Sequence, residues 1–185
     1  MAKSLTKSVN VERAHPLAEK MVGGDGITVF AAPAAYRCTL RAGTRALAPI
    51  SKALGVALPK QPKSSSSSGG RSALWLGPDE WLIIDEKSDP TADLETVKAL
   101  HSAVDVSHRN TAIIVSGVRS ADIINAGCPQ DLSLTSFPVG ACSRTVLGKI
   151  EIVLLRTKKD EFRVEVWRSF SAYAFELLST AAKYG

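Results

Sequence analysis

Ala73-Leu74-Trp75-Leu76-Gly77-Pro78-Asp79-Glu80-Trp81-Leu82-Ile83-Ile84 places two apolar runs on either side of a Gly-Pro-Asp-Glu break. Pro presets one turn dihedral, Gly and Asp tolerate the others, and the flanking runs are strand-length, so the stretch predicts a hairpin. Upstream, Ile27-Thr28-Val29-Phe30 and Tyr36 to Leu40 read as strands separated by Pro33, with Gly23, Gly24 and Gly26 breaking the chain before them. Leu47, Ile50 and Leu54 recur at helical spacing. Pro49 fits only a first turn, so this helix is short, and Gly55 is its stop.

Downstream, Asp89-Pro90 opens a helix with Leu94, Val97 and Leu100 on one face, which puts His101 at its end. Ala103 to Val106 follows, and then Ala112-Ile113-Ile114-Val115, a continuous apolar run of the buried-strand kind. Ser116 is the expected cap of a helix through Val118, Ala121 and Ile124 that ends at Gly127. Strands are expected near 142–147, 150–156 and 161–167, the last two joined by a turn at Lys158 to Asp160. The final strand alternates Phe162, Val164 and Val166 against Arg163, Glu165 and Trp167. The closing helix carries Phe170, Tyr173, Ala174, Leu177, Leu178 and Ala181 on one face. Hairpins without strict βαβ alternation define an α+β fold, a mainly antiparallel sheet with helices packed on it. Residues 1–15 read as a flexible lead-in and 16–185 as one domain. A Ser/Gly-rich stretch at 60–71, with five consecutive serines, is expected to interrupt it as a mobile loop.

The 185 residues, 45% hydrophobic and 22% charged, suffice for one self-supporting core and exclude pervasive disorder. Aliphatic runs such as Ile152 to Leu155 are far shorter than the roughly 20 residues of a membrane span. The polar start, Met1 to Glu12, carries no secretory pattern. Cys38, Cys128 and Cys142 form no CxxC pair and read as reduced, buried thiols, in keeping with a cytoplasmic protein. Residues 1–71 hold 11 Lys and Arg against 3 Asp and Glu, whereas 72–185 hold 12 against 15. This asymmetry fits a basic surface facing an acidic partner, or a solvated face.

No catalytic constellation emerges. Gly23-Gly24-Asp25-Gly26 lacks the spacing and the Lys-Ser/Thr of a phosphate loop. His15, His101 and His108 are not at metal-ligand spacing with one another or with cysteine. Asp105-Val106-Ser107-His108-Arg109 holds Asp, Ser and His, but adjacent extended residues face opposite ways and no nucleophile elbow is present, so it reads as a turn stitched by side chains. No catalytic, cofactor-binding or metal-binding residue is therefore named. Candidate partner-contact residues are Trp75 and Trp81 beside the Gly-Pro turn, for which core packing is the favoured alternative, and Arg163, Trp167 and Arg168, an aromatic and basic strip on the last strand.

The hairpin stretch 73–82 is followed by Asp105-Val106-Ser107-His108-Arg109, Thr111-Ala112, Val115-Ser116-Gly117, Gly127-Cys128-Pro129, Asp131-Leu132, Phe137-Pro138, Gly140-Ala141-Cys142, Leu155-Arg156-Thr157 and Arg168-Ser169-Phe170. In that order, and with His15-Pro16-Leu17, Leu54-Gly55 and Leu58-Pro59 upstream, the chain resembles the gamma subunit of heterotetrameric sarcosine oxidase. More distantly it is similar to the folate-binding aminomethyltransferases of the glycine cleavage system. The resemblance implies an aminomethyltransferase-type fold and a non-catalytic place in a complex with alpha, beta and delta subunits. Those partners would carry FAD, FMN, NAD, tetrahydrofolate and zinc. The complex would demethylate sarcosine to glycine, forming hydrogen peroxide and methylenetetrahydrofolate or formaldehyde. Leu147-Gly148-Lys149-Ile150-Glu151-Ile152-Val153 departs from the aminomethyltransferase pattern, with Ile152 and Val153 where acid is expected. Alternative readings are an independent folate-binding transferase using Glu151 or Asp105, a subunit of a related N-methyl amino acid dehydrogenase, and, least favoured, a nucleic-acid module built on the basic first segment.

Overall fold

In the computed structural model, which describes residues 15–24 and 26–184, the strands pair antiparallel and sort into two sheets. The first sheet has the order β1-β2-β8-β11-β10-β9. Its members are β1 (Met21–Gly24), β2 (Ile27–Ala31), β8 (Asn110–Gly117), β11 (Glu161–Trp167), β10 (Ile150–Lys158) and β9 (Cys142–Leu147). The second has the order β4-β5-β6-β3-β7, from β4 (Ser65–Ser68), β5 (Arg71–Gly77), β6 (Glu80–Asp85), β3 (Tyr36–Ala42) and β7 (His101–Asp105). The helices are α1 (Leu47–Leu54), α2 (Pro90–Leu94), α3 (Ser120–Asn125) and α4 (Ser171–Tyr184).

Strand alternation builds the layers. Ile113, Val115, Phe162, Val164, Val166, Ile152 and Leu154 point one way and bury against α3 and α4. Cys38, Leu40, Ala73, Trp81 and Ile83 do the same against α1 and α2. The opposite faces meet each other through Leu74, Leu82, Ile84, Val153 and Leu155. The order is thus helix, sheet, sheet, helix, and strands of both sheets are covered on both sides. The expected α+β class and antiparallel pairing hold, with the strands divided between two sheets.

Several expectations are corrected. The 60–71 stretch is not an open loop: Ser65–Ser68 pairs with Leu74–Arg71 in register. Gly69 and Gly70, at φ 62° and 100°, make the two-residue turn that matches strand twist. Serine hydroxyls satisfy the edge, Ser65 Oγ donating to the Gly140 carbonyl at 2.6 Å. Composition read as mobility was outweighed by a Gly-Gly hairpin signal. Gly23 and Gly24 likewise lie within β1 rather than ending the chain's pairing. The lead-in expected over 1–15 lies outside the described residues except for His15.

Asp89 caps α2 as expected, its Oδ1 accepting from Thr91 N at 2.8 Å, but the helix stops at Leu94 and Leu100 is 93% exposed. The chain turns there to lay β7 along β3, so His101 is a strand residue. Ser116 extends β8 opposite Glu161 and Thr28, and α3 begins only at Ser120. Pro49 sits in the first turn of α1 and Gly55 ends it in the left-handed region, both as read. On α4 the inward residues are Ala174, Phe175 and Leu178, while Tyr173 on the same helix is exposed, as is Phe170, which lies in the 3-10 turn before the helix and out of its phase. No helix among the described residues is long and apolar enough to cross a membrane.

Candidate functional site

The face of β11 read as a solvent strip, Arg163, Glu165 and Trp167, turns toward the second sheet, and Trp167 alone of the three is exposed. Glu165 is 1% exposed and Arg163 is 6% exposed. The Glu165 carboxylate accepts from Arg37 Nε at 2.6 Å, from Arg37 Nη2 at 3.2 Å and from Arg163 Nε at 2.7 Å. Arg37 lies on β3, so this cluster ties one sheet to the other. Arg163 Nη1 also lies 3.6 Å from Glu86, and Arg163 Nη2 is buried with no hydrogen-bond partner among the described residues. Sequence alternation assigned the polar face to water because it carries no sign of a covering sheet. Arg163 is therefore an internal residue rather than a contact residue.

Trp81 is internal as well, 1% exposed, with Nε1 donating to the Pro59 carbonyl at 2.8 Å. Trp75 pairs opposite it across β5 and β6 and packs, half-buried, against the same core. Of the five candidate contact residues, the structure brings Trp167 and Arg168 together at the surface. Trp167 is 41% exposed and stacks on Phe170, with ring centroids 6.0 Å apart at 20°. Arg109 lays its guanidinium 5.3 Å from the Trp167 ring centroid. Arg168 N donates to the Arg109 carbonyl at 2.7 Å, and Ser171 Oγ donates to the Arg168 carbonyl at 2.8 Å, so the two arginines are held on a fixed backbone. Sequence reasoning missed Arg109 and Phe170. Both belong to quoted motifs; Arg109 reaches Trp167 because β8 and β11 pair with Asn110 opposite Trp167, and Phe170 because the 3-10 turn Arg168–Phe170 folds it back over the ring.

Two recesses flank this ledge. A cleft of about 450 Å³ opens between the sheets, with Val104 and Trp167 on its walls. Across it Glu80 accepts from Arg41 at 2.9 Å and from Arg144 at 2.5 Å, a bridge between the sheets, and Arg144 lies 3.9 Å from Glu151. The side chain of Glu151 is 55% exposed, a surface partner of Arg144 rather than a buried proton acceptor. On the other side a groove of about 430 Å³ runs past Tyr36, Lys87, His108 and Arg168.

Asp105 and Ser107 form the stitched turn that was read. Asp105 Oδ1 accepts from Ser107 N at 2.8 Å and from its Oγ at 2.5 Å, and Ser107 Oγ accepts from Arg37 N at 2.8 Å. His108 faces solvent on the next position. His15 is better anchored than its place near the lead-in suggested. Its Nδ1 accepts from Leu17 N at 3.3 Å, so Nε2 holds the proton given to Thr111 Oγ1 at 3.1 Å. Burial, with Arg37 and Arg168 nearby, lowers its pKa and keeps the ring neutral. Burial pushes the Cys38 thiol up to about 11 and the Cys142 thiol up to about 12, and Cys128 is buried too. Among the described residues no group of His, Cys, Asp and Glu is gathered so as to hold a metal ion.

Two facing antiparallel sheets with helices outside superpose on about half of an aminomethyltransferase. The glycine cleavage system aminomethyltransferase T from Bartonella henselae superposes with a TM-score of 0.63 at 9% identity, over 85% of this chain and 49% of that one. That likeness defines the class of fold. Residues 41–183 match the sarcosine oxidase, gamma subunit family, and the chain belongs to that family. It is 32% identical to the sarcosine oxidase subunit gamma of Arthrobacter sp. over 173 residues, covering 87% of this chain and 85% of that one. The corresponding subunit of Corynebacterium sp. strain P-1 is 29% identical over 96% of this chain and 93% of its own. A chain of the heterotetrameric sarcosine oxidase from Corynebacterium sp. U-96, in complex with pyrrole 2-carboxylate, superposes with a TM-score of 0.82 at 26% identity, over 92% of this chain and 95% of that one.

Proposed function

We propose that this chain is a structural subunit of a heterotetrameric sarcosine oxidase. The observation that carries the reading is the end-to-end superposition on a chain of such an enzyme, 92% of one on 95% of the other. The acid–base and nucleophilic candidates of the chain support it, since Asp105 and Ser107 are engaged with each other and Cys38 and Cys142 are held as neutral thiols. In this reading alpha, beta and delta subunits hold the FAD, FMN, NAD, tetrahydrofolate and zinc. The assembled cytoplasmic enzyme oxidises sarcosine to glycine and forms hydrogen peroxide, the one-carbon unit leaving as methylenetetrahydrofolate or formaldehyde. Trp167 and Arg168, with Arg109 and Phe170, are its candidate contact surface.

The test is a tagged pull-down of this chain from its host. Three co-purifying chains, a flavin absorbance and sarcosine-dependent peroxide are expected. A colourless, solitary chain overturns the assignment.

A further inference from the structure

The groove beside Tyr36 and the recess beneath Trp167 share Pro16, His108 and Arg168 as walls, so they form one track across the surface, with volumes of about 430 and 500 Å³. The charged groups along it are Arg37, Lys87, Arg109 and Arg168 against one carboxylate, Glu86. Arg37 is engaged inside the fold, with Glu165 at 2.6 Å, and Glu86, its side chain 52% exposed, lies 3.6 Å from Arg163. Lys87 and Arg109 have no carboxylate within ion-pair distance among the described residues. They set the sign of the track. Its far end is apolar, the stacked Trp167 and Phe170, each 41% exposed.

Resting on the subunit reading above, we propose that this track receives an acidic polypeptide segment of a sister subunit. Carboxylates of that segment meet Lys87 and Arg109, and an apolar side chain lies on the Trp167–Phe170 ledge. Arginine and aromatic side chains held rigidly are the residue types that dominate binding at interface centres, because they desolvate large area at small entropic cost. The Arg109–Trp167 stack and the backbone bond from Arg168 to Arg109 supply that rigidity. Opposite charge on the partner adds steering and specificity. The chain's own first 14 residues carry Lys3, Lys7 and Arg13 against Glu12, the wrong sign for this track.

The experiment co-expresses the full oxidase with this chain as wild type, as Lys87→Glu/Arg109→Glu, and as Trp167→Ala. Stoichiometry in the purified complex and the melting temperature of each isolated chain are both measured. Expected are an unchanged melting temperature and a retention of either variant reduced about tenfold or more, the effect of losing one interface anchor. Stoichiometric retention of both variants overturns the docking track while leaving the subunit reading intact. Failure of the wild-type chain to co-purify sinks the subunit reading itself, and the track with it. A benzoylphenylalanine at position 36 adds a direct readout. Photo-cross-links to an Asp/Glu-rich peptide of a sister subunit support the assignment. Cross-links to residues 1–14, to a second copy of this chain or to nucleic acid overturn it.

Discussion

Glu165 is the residue on which the space between the sheets depends. It places one carboxylate between two buried guanidinium groups, with three hydrogen bonds of 2.6 to 3.2 Å. Desolvating such a cluster is expensive, so it confers alignment of the two sheets more than net stability. Removing its one anion is a different matter, because two arginines would then be buried without compensation. Glu165→Gln is expected to cost about 3 kcal/mol or more, read as a lowered urea midpoint with an unchanged slope. A change within about 0.5 kcal/mol would mean that Glu86 alone suffices for Arg163, and that Arg37 finds another acceptor. The thiols mark the opposite extreme of side-chain behaviour. Cys142 Sγ donates to the Ser64 carbonyl at 3.1 Å and serves as a small core residue.

Among the elements, the end of β8 shows how one position can set a register. Gly117 has φ 131°, and a Cβ there would lie 2.0 Å from the Gly26 carbonyl oxygen and 2.9 Å from the Ile27 Cα. These are backbone atoms at the start of β2 and of the turn residue before it, so the contact cannot be relieved by a side chain turning away. Gly117→Ala therefore combines an unfavourable dihedral with a clash at the β2–β8 pairing, and a loss of about 3 kcal/mol is expected. Thermal melting measures the loss, and amide exchange at Ile27 to Ala31 locates it. A variant with wild-type melting and exchange would show that β1 and β2 shift without penalty. The serine hairpin makes a complementary point. Its composition is that of a linker, yet Ser68 opposite Arg71 leaves two glycines at positive φ, a turn only such residues adopt readily.

For the whole molecule, the decisive feature is that two sheets, each with its own helices, share an apolar layer. Leu74, Leu82, Ile84, Val106, Cys142, Val153 and Leu155 belong to both halves and to neither outer core. The halves should consequently unfold together. Urea transitions followed by far-UV circular dichroism and, in a Trp167→Phe background, by the fluorescence of Trp75 and Trp81, which then reports the second sheet, are expected to coincide. An earlier fluorescence transition would show that the inter-sheet layer does not couple the two halves.

The hairpin at 73–84, the Asp89-Pro90 start, the Gly55 stop and the inward face of β11 were legible in the sequence because each is decided by residues adjacent along the chain. Capping, turn chemistry and strand alternation are short-range physics, and the ordered motifs that define the gamma subunit family are sequence properties by nature. Which side of β11 meets water was not legible. Arg163 and Trp167 alternate on the same face, yet the second sheet covers one and leaves the other at its margin. Pairing of β8 with β11 brings Arg109 to Trp167, and the closing of the sheets on each other buries Arg163. Contacts between residues far apart in the chain, such as the 128 positions that separate Arg37 from Glu165, exist only once both sheets have closed on each other.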